Sequence, residues 1–455
     1  TTEIYSLSLH DALPIWSARY NTPMLEKLKA RLYFLVAGYF AFWARILLHR
    51  WQPVIILVTG SSGKTTLFHL LEAQLSKQCL FAHEANSSFG IPFYLLGLKR
   101  KTLTLSEWPY LFFAAPFGAW RSLPNKKYLV IEADADRPGE GKFIATLLKP
   151  TYTFLVSIGP THSMRFDKVV RAGKYQHTQA AIIAEFSQFL VATQKQVYVS
   201  GDSKTVKQAL AHLSQTQKNK VIKLWQADYL TDYQLATKST TFVINKHTYY
   251  LPYLLPPVIA LSLAMAEQAV AIFGIKLDTA YKKLNLPPGR SSLLAGIKNT
   301  TLIDSSYNAN LDSMKAMIDL FALYPVKKKW LIIGHMLEQG SASKKQHQHL
   351  AKLLLDFPDK KATILLIGEG NKLYTLPFLQ KHRQRDYHFF SHPQEIIAYA
   401  QNHLQGGEAI LLKGAPFMEG VVEALLADKS QAKQLVRREK AHQRHRQKLY
   451  EQYAP

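Results

Sequence analysis

A single cysteine, Cys79, in 455 residues excludes a disulfide framework and any cysteine-built metal centre, and it points to a reducing compartment, with the cytoplasm as the default. Acidic residues are also scarce: 32 Asp and Glu stand against 56 Lys and Arg, a formal net charge of +24. That balance favours anionic partners, whether nucleotides, nucleotide-linked sugars or anionic lipid headgroups, without choosing among them. No RNA- or DNA-binding signature accompanies it, so nucleic acid is not an expected partner. The basic run from Lys433 to Lys448 reads as a solvated helical end. Disorder is excluded too, because 47% of the residues are hydrophobic and only 19% charged, enough for two or three packed domains. Internal repeats and low-complexity tracts are absent.

The opening TTEIYSLSLHDALPIW lacks a starting Met and resembles translated adapter read-through, so no function is assigned to it. An apolar run then extends from Leu32 to Ala44 between Arg31 and Arg45. As a helix it would be about 20 Å long, short of the roughly 30 Å hydrocarbon core, which argues against a membrane span. It also lacks the small-residue site of a cleaved signal peptide. Two readings stay open: a helix lying in the membrane interface, giving peripheral membrane contact through residues 32–44, or one packed on its own domain.

From Trp51 onward the pattern is that of an α/β protein. PVIILVTG, YLVIEAD and TYTFLVSIG are β-branched runs without alternation, as expected of parallel strands covered on both faces. VIALSLAMAEQAVAIFGI reads as a helix capped by Gly274. After the Pro-Pro-Gly-Arg turn at 287–290 the alternation restarts with TTLIDSS, KKWLIIGHM, ATILLIGEG and EAILLKGA. The expected organisation is an N-terminal extension (1–50), a central ATPase domain of phosphate-loop type with a parallel sheet (51–290), and a Rossmann-like α/β domain with a basic tail (291–455).

The strongest local signal is TGSSGKTT, Thr59 to Thr66, between a buried strand and a helix. Gly60, Ser61, Ser62 and Gly63 let the backbone curl so that N–H groups face phosphates at a helix N-terminus. Lys64 would reach the β/γ-phosphates, Thr65 would ligate Mg²⁺, and Thr66, the last residue of the motif, would also meet the nucleotide. Glu132 ends a neighbouring strand, where a carboxylate serves either as a metal ligand or as a strand end-cap.

This short loop, together with ANSSFGIP (85–92), VIEADADRPGE (130–140), SIGPTHSMRF (157–166), PPGRSS (287–292), IDSSYNANLDSMKAMID (303–319), IGHMLEQG (333–340) and LLKGA (411–415), resembles the Mur ligase family. The resemblance covers residues 54 to about 425 and is greatest to the type that adds D-alanyl-D-alanine. It implies an ATP-dependent ligase that joins a muramyl-peptide carboxylate to an amine through an acyl phosphate, with ATP and Mg²⁺ as cofactors. Glu132 and His162 would hold metal, and Arg290, Asp304 and Asn308 would reach the nucleotide. Asn86, Tyr307, Asn310, His347 and Lys413 would face the substrates. A cytoplasmic monomer is expected.

Several positions depart from the family pattern. Phe186 stands where the family carries a carbamylated lysine, His335 replaces the Asp of Gly-Asp-Met, and the short apolar helix is expected to take the place of the family's uridine-nucleotide-binding domain. Two competing readings follow: a catalytically weakened binding or scaffold subunit, and a ligase of folylpolyglutamate-synthase type. The Tyr-Asn-Ala-Asn loop at 307–310 argues against the second.

Overall fold

A computed structural model describes residues 23–83, 85–100, 105–382, 387–415 and 418–438. The first sixteen residues and the basic run beyond Arg438 lie outside them. The chain divides into two compact units, residues 1–158 with 180–224, and residues 159–179 with 225–455.

The first unit is built on a parallel sheet of order β2-β3-β1-β4-β5-β6. Its strands are β1 (Val54–Thr59), β2 (Cys79–Ala82), β3 (Tyr128–Ala133), β4 (Tyr152–Leu155), β5 (Gln196–Ser200) and β6 (Val221–Leu224). Central β1 pairs β3 and β4 in parallel register, with Val58 opposite both Glu132 and Phe154. Ile56, Leu57 and Val58 are at most 1% exposed, the signature of a strand covered on both faces. Burying each such side chain contributes about 1.5–3 kcal/mol, which fixes the strand whose end carries the phosphate loop.

The helix at the start of this unit is longer than the run 32–44 suggests, spanning Pro23–Trp51, because Ile46, Leu47 and Leu48 carry the apolar pattern past Arg45. Its part Leu32–Trp51 is long and apolar enough to cross a membrane by length and composition. One face nevertheless packs inside its own unit: Tyr33, Ala37, Phe40, Ala44 and Leu47 are buried, and the Phe40 ring lies 4.8 Å from Phe93 and 5.2 Å from Phe112.

The second unit holds a sheet of order β10-β11-β15-β12-β13-β14. These strands are β10 (Ser292–Gly296), β11 (Thr300–Ser305), β12 (Lys329–Ile333), β13 (Thr363–Ile367), β14 (Tyr387–Phe390) and β15 (Ala409–Lys413). Only the β10–β11 pair is antiparallel. A separate antiparallel sheet of β7 (Leu230–Leu235), β8 (Thr240–Ile244) and β9 (His247–Leu251), not expected from the sequence, also belongs to this unit. The helix Ile259–Ile272 follows, and Gly274 just beyond it takes a left-handed φ of 59°.

Candidate functional site

The phosphate loop leaves β1 at Thr59, whose hydroxyl donates to the Ala133 carbonyl at 2.9 Å and so ties the loop to the end of β3. Gly60 has φ 135°, and a Cβ there would lie 2.7 Å from the Ser157 carbonyl oxygen, so only glycine fits. Ser61 N–H donates to the Ser157 carbonyl and Ser62 N–H to the Ser157 hydroxyl, both at 2.9 Å. The helix Lys64–Leu75 then begins on Gly63 without a side-chain cap, so the positive end of its dipole faces the loop.

Lys64 and Thr65 turn toward the carboxylates at the end of β3, Glu132 within the strand and Asp134 just after it. The Lys64 ammonium sits 2.6 Å from Asp134 Oδ2, and the Thr65 hydroxyl donates to Glu132 Oε2 at 3.1 Å. Burial acts to remove the Lys64 charge, but Asp134 and Glu132 outweigh it, and the ammonium is held above its ordinary pKa. Thr65 and Glu132 are oxygen donors a hydrogen bond apart, and they fit a small hard cation such as Mg²⁺. Asp134 was not singled out in the sequence; the signal was the second carboxylate of Glu-Ala-Asp, one strand residue pair beyond Glu132.

Two further carboxylates hold the loop that carries Asp134. Glu140, 1% exposed, accepts from Ser88 N–H and Oγ at 3.0 and 2.7 Å and from Asp136 N–H at 3.1 Å. Glu185 accepts from Gly139 N–H at 2.6 Å and Gly141 N–H at 3.0 Å. Asn86 joins the same framework through its backbone carbonyl, which accepts from Asp134 N–H at 2.8 Å. Phe186, beside Glu185 on the helix Thr178–Ala192, is fully buried against Phe189 at 6.3 Å between ring centroids. A phenyl ring enclosed in this way supplies no anionic bridge to a second metal.

His162 belongs to the second unit. It occupies the left-handed region at φ 53° just before the helix Ser163–Arg171, and its Nδ1 pairs with the Glu338 carboxylate. Arg165 reaches the same carboxylate at 3.3 Å, while Asp167 accepts from Ser341 N–H at 2.9 Å. The His162 hydrogen bond, outweighing the opposing effect of burial, holds the Glu338 carboxyl down at about 2. Glu338 lies in the GHMLEQG segment that the sequence marked, but its pairing depends on distance in space.

Around the end of β11, the buried Asp304 carboxylate accepts from Ser306 N–H at 3.0 Å, and burial raises its pKa. The Arg290 guanidinium lies 4.3 Å from the Tyr307 ring centroid, a cation–π contact. Lys413, 4% exposed, donates to the Ser305 and Asn308 carbonyls at 3.1 and 2.6 Å. Burial, with Arg290 adding to it, pushes Lys413 down to about 7 against the pull of Asp304. Asn310 spends its side chain on a capping box, with Ser313 N–H donating to Oδ1 at 2.9 Å at the start of the helix Leu311–Leu323. His347 is wholly buried: Nε2 accepts from Met336 N–H at 3.2 Å, and Nδ1 faces the Ser343 carbonyl at 2.9 Å. Asp304, Arg290, Tyr307, Asn308 and Lys413 thus form one connected group, whereas His347 sits in the core.

Residues 58–256 match the Mur ligase middle domain, and residues 289–416 match the Mur ligase glutamate ligase domain. The UDP-N-acetylmuramoyl-tripeptide--D-alanyl-D-alanine ligase of Bacillus subtilis (strain 168) is 25% identical over 385 residues, 82% of this chain and 76% of that one. The enzyme of the same name from Escherichia coli (strain K12) is 25% identical over 325 residues, 69% of this chain and 64% of the relative, just under two thirds of its length. Among solved structures, the MurF ligase of Thermotoga maritima in complex with ADP superposes with a TM-score of 0.64 at 18% identity, covering 85% of this chain and 83% of that one. With both of the family's ligase regions present in order and the phosphate loop and β3 carboxylates at the first of them, the chain belongs to the Mur ligase family of ATP-dependent ligases.

Proposed function

We propose that this protein joins the carboxylate of a muramyl peptide to D-alanyl-D-alanine, with ATP consumed through an acyl phosphate. The observation that carries this reading is the pairing of Lys64 with Asp134 and of Thr65 with Glu132 at the mouth of the phosphate loop. A carboxylate does not react with an amine in water. It must first attack the γ-phosphorus, with ADP leaving; the amine nitrogen then attacks the acyl carbon, inorganic phosphate leaves, and the amine loses a proton.

Each residue has a part in that sequence. Loop N–H groups from Gly60 to Thr66 and the Lys64 ammonium would stabilise the charge gathering on the transferred group. Thr65 and Glu132 would hold Mg²⁺, which offsets repulsion between two incoming anions, and His162 would serve a second metal. Arg290, Asp304 and Asn308 would meet the nucleotide, and Asn86, Tyr307, Asn310, His347 and Lys413 the two substrates, directly or by shaping their loops. Residues 51–290 would act as the ATP-binding domain and 291–455 as the amine-side domain. The protein would work as a cytoplasmic monomer, with peripheral membrane contact through residues 32–44.

Hydroxylamine trapping tests the reading: wild-type protein given ATP, Mg²⁺ and muramyl tripeptide, without the amine, should yield a hydroxamate. Neither hydroxamate nor amine-dependent phosphate release with any muramyl peptide would refute it. A second reading, a weakened family member acting as a binding subunit, is favoured by the buried Phe186; it predicts ATP binding without either product.

A further inference from the structure

The first unit carries an aromatic stripe that the ligase chemistry does not use. On the helix Trp108–Ala119 and the residue after it, Tyr110, Phe113, Phe117 and Trp120 are 66%, 77%, 78% and 66% exposed. Their spacing of three, four and three residues places them along one helical face. The opposite face, with Leu111, Ala115 and Gly118, is buried, and a Cβ on Gly118 would come within 2.4 Å of the Leu96 carbonyl oxygen. This helix is therefore pressed onto its own unit with its largest rings turned to solvent.

The helix Pro23–Trp51 extends the stripe. Leu35 and Phe42 are 71% and 53% exposed, and Tyr39, on the same face between them, donates through its hydroxyl to the Phe112 carbonyl at 2.8 Å. Farther along the seam, Arg50 donates to the Ala119 carbonyl at 2.7 Å and lies 4.9 Å from the Trp120 ring centroid. An aromatic side chain buries on the order of 150–250 Å², so four rings this exposed leave an apolar patch on the order of several hundred Å², at or beyond the upper range for monomer surfaces.

Charge identifies the occupant. Segments 32–51 and 98–128 contain eight Lys and Arg (Arg45, Arg50, Lys99, Arg100, Lys101, Arg121, Lys126 and Lys127) and one acid, Glu107. That acid is itself paired with Arg100 at 3.4 Å. A second copy of the chain would set these cations against each other, whereas an anionic surface would complement them. Tyr and Trp beside Lys and Arg are the residues that settle at a bilayer's headgroup level. The buried face of the helix Pro23–Trp51 is committed to its own unit, so a membrane would be met side-on rather than crossed.

We infer that the stripe Tyr110, Phe113, Phe117 and Trp120, flanked by Leu35 and Phe42, docks the protein onto an anionic lipid bilayer, with the aromatic helix as the principal anchor. The inference rests on the peripheral membrane contact proposed above and shifts its centre from residues 32–44 to 110–120.

Co-sedimentation of the full chain tests it, using vesicles of phosphatidylglycerol with phosphatidylcholine and vesicles of phosphatidylcholine alone, at low and high salt. Wild-type protein should bind the anionic vesicles preferentially and release at high salt. Phe113→Ser with Phe117→Ser should lower that binding by about tenfold or more, and Leu35→Ser with Phe42→Ser by less, since fewer exposed rings are removed. Unchanged ATP affinity and melting temperature would certify the folding of these surface variants. A measurement that needs no folding assumption for them is quenching of tryptophan fluorescence by brominated anionic lipid, part of which should vanish in Trp120→Phe. If wild-type protein binds anionic vesicles but the Phe113/Phe117 variant binds equally, the aromatic anchor is overturned while contact through residues 32–44 stands. If wild-type protein binds neither kind of vesicle, or elutes as a dimer that the variant dissociates, membrane contact falls altogether. Equal binding to neutral vesicles would overturn the anionic preference. None of these outcomes bears on hydroxamate formation, which tests the ligase reading separately.

Discussion

Lowering the pH should loosen the C-terminal sheet through one side chain, His335. Its Nδ1 accepts a hydrogen bond from Gly370 N–H at 2.9 Å, so that nitrogen carries no proton in the folded state. Burial, reinforced by neighbouring His347, lowers the His335 pKa from 6.5 to about 4. An unfolded chain takes up this proton near pH 6.5, and the folded one resists it until about pH 4. The stabilising contribution is therefore present above pH 6.5 and is lost as pH falls from there toward 4. Integrated from pH 7 to pH 4.5, the loss is about 2 kcal/mol, or roughly a 30-fold change in an opening equilibrium. Hydrogen exchange of the amides in β12, β13 and β15 reads the opening of this sheet by itself, free of the rest of a multidomain chain. Protection factors should fall by roughly 30-fold more in wild-type protein than in His335→Asn, whose Oδ1 can still accept from Gly370 without titrating. Groups shared by both proteins, His347 included, cancel to first order in that comparison. Equal pH dependence in the two would refute the reasoning.

Lys64→Ala should abolish ATP–Mg²⁺ binding in calorimetry while leaving the fold intact; unchanged affinity would end the phosphate-loop reading. Glu132→Gln should suppress hydroxamate trapping by weakening the Thr65–Glu132 cation site, an effect that extra Mg²⁺ should partly reverse. Gly60→Ala should weaken ATP binding by about tenfold or more, because the added Cβ forces a strained backbone against Ser157, and isothermal titration checks it. Phe186→Lys would restore the family's lysine, but in this structure it buries an ammonium among phenyl rings and should destabilise the first unit by about 3 kcal/mol or more. A melting temperature unchanged by that substitution, with a rate raised by bicarbonate, would show that the side chain reaches a metal.

The parts of the site legible in the sequence are those encoded by local spacing. The Thr59–Thr66 loop follows a buried strand and opens a helix, whereas Arg290, Asp304 and Asn308 were named through the resemblance of PPGRSS and IDSSYNAN, which bracket β10 and β11, to the family's motifs. What stayed hidden depends on distance in space: Asp134 against Lys64, Glu338 against His162, and the Glu140 and Glu185 carboxylates on backbone N–H groups. No periodicity announces such pairs. Asn310 and His347 show the opposite limit, since a motif position marks a residue without saying whether its side chain faces a ligand, caps a helix or fills the core. Strands β2, β5, β6, β10 and β14 and the sheet β7–β9 were missed because they are short or half-exposed runs lacking the continuous apolar signal of β1 and β15. The aromatic stripe of Tyr110, Phe113, Phe117 and Trp120 was not singled out in the sequence, since only the fold says which side of that helix is outermost.

The Lys64–Asp134 contact gives the proposed cycle a kinetic character. An incoming triphosphate would not meet a bare cation; on the proposed reading it would take Lys64 from a carboxylate 2.6 Å away, so that binding would be an exchange of counter-ions. Asp134, once displaced, is a negative charge beside the phosphates and waits for the ammonium to come back. When ADP departs, the return of Asp134 spares the protein an orphaned buried charge, which would otherwise cost several kcal/mol. One cation passing between two anions would thus ease product escape, and Asp134→Asn should slow ADP dissociation without slowing ATP association.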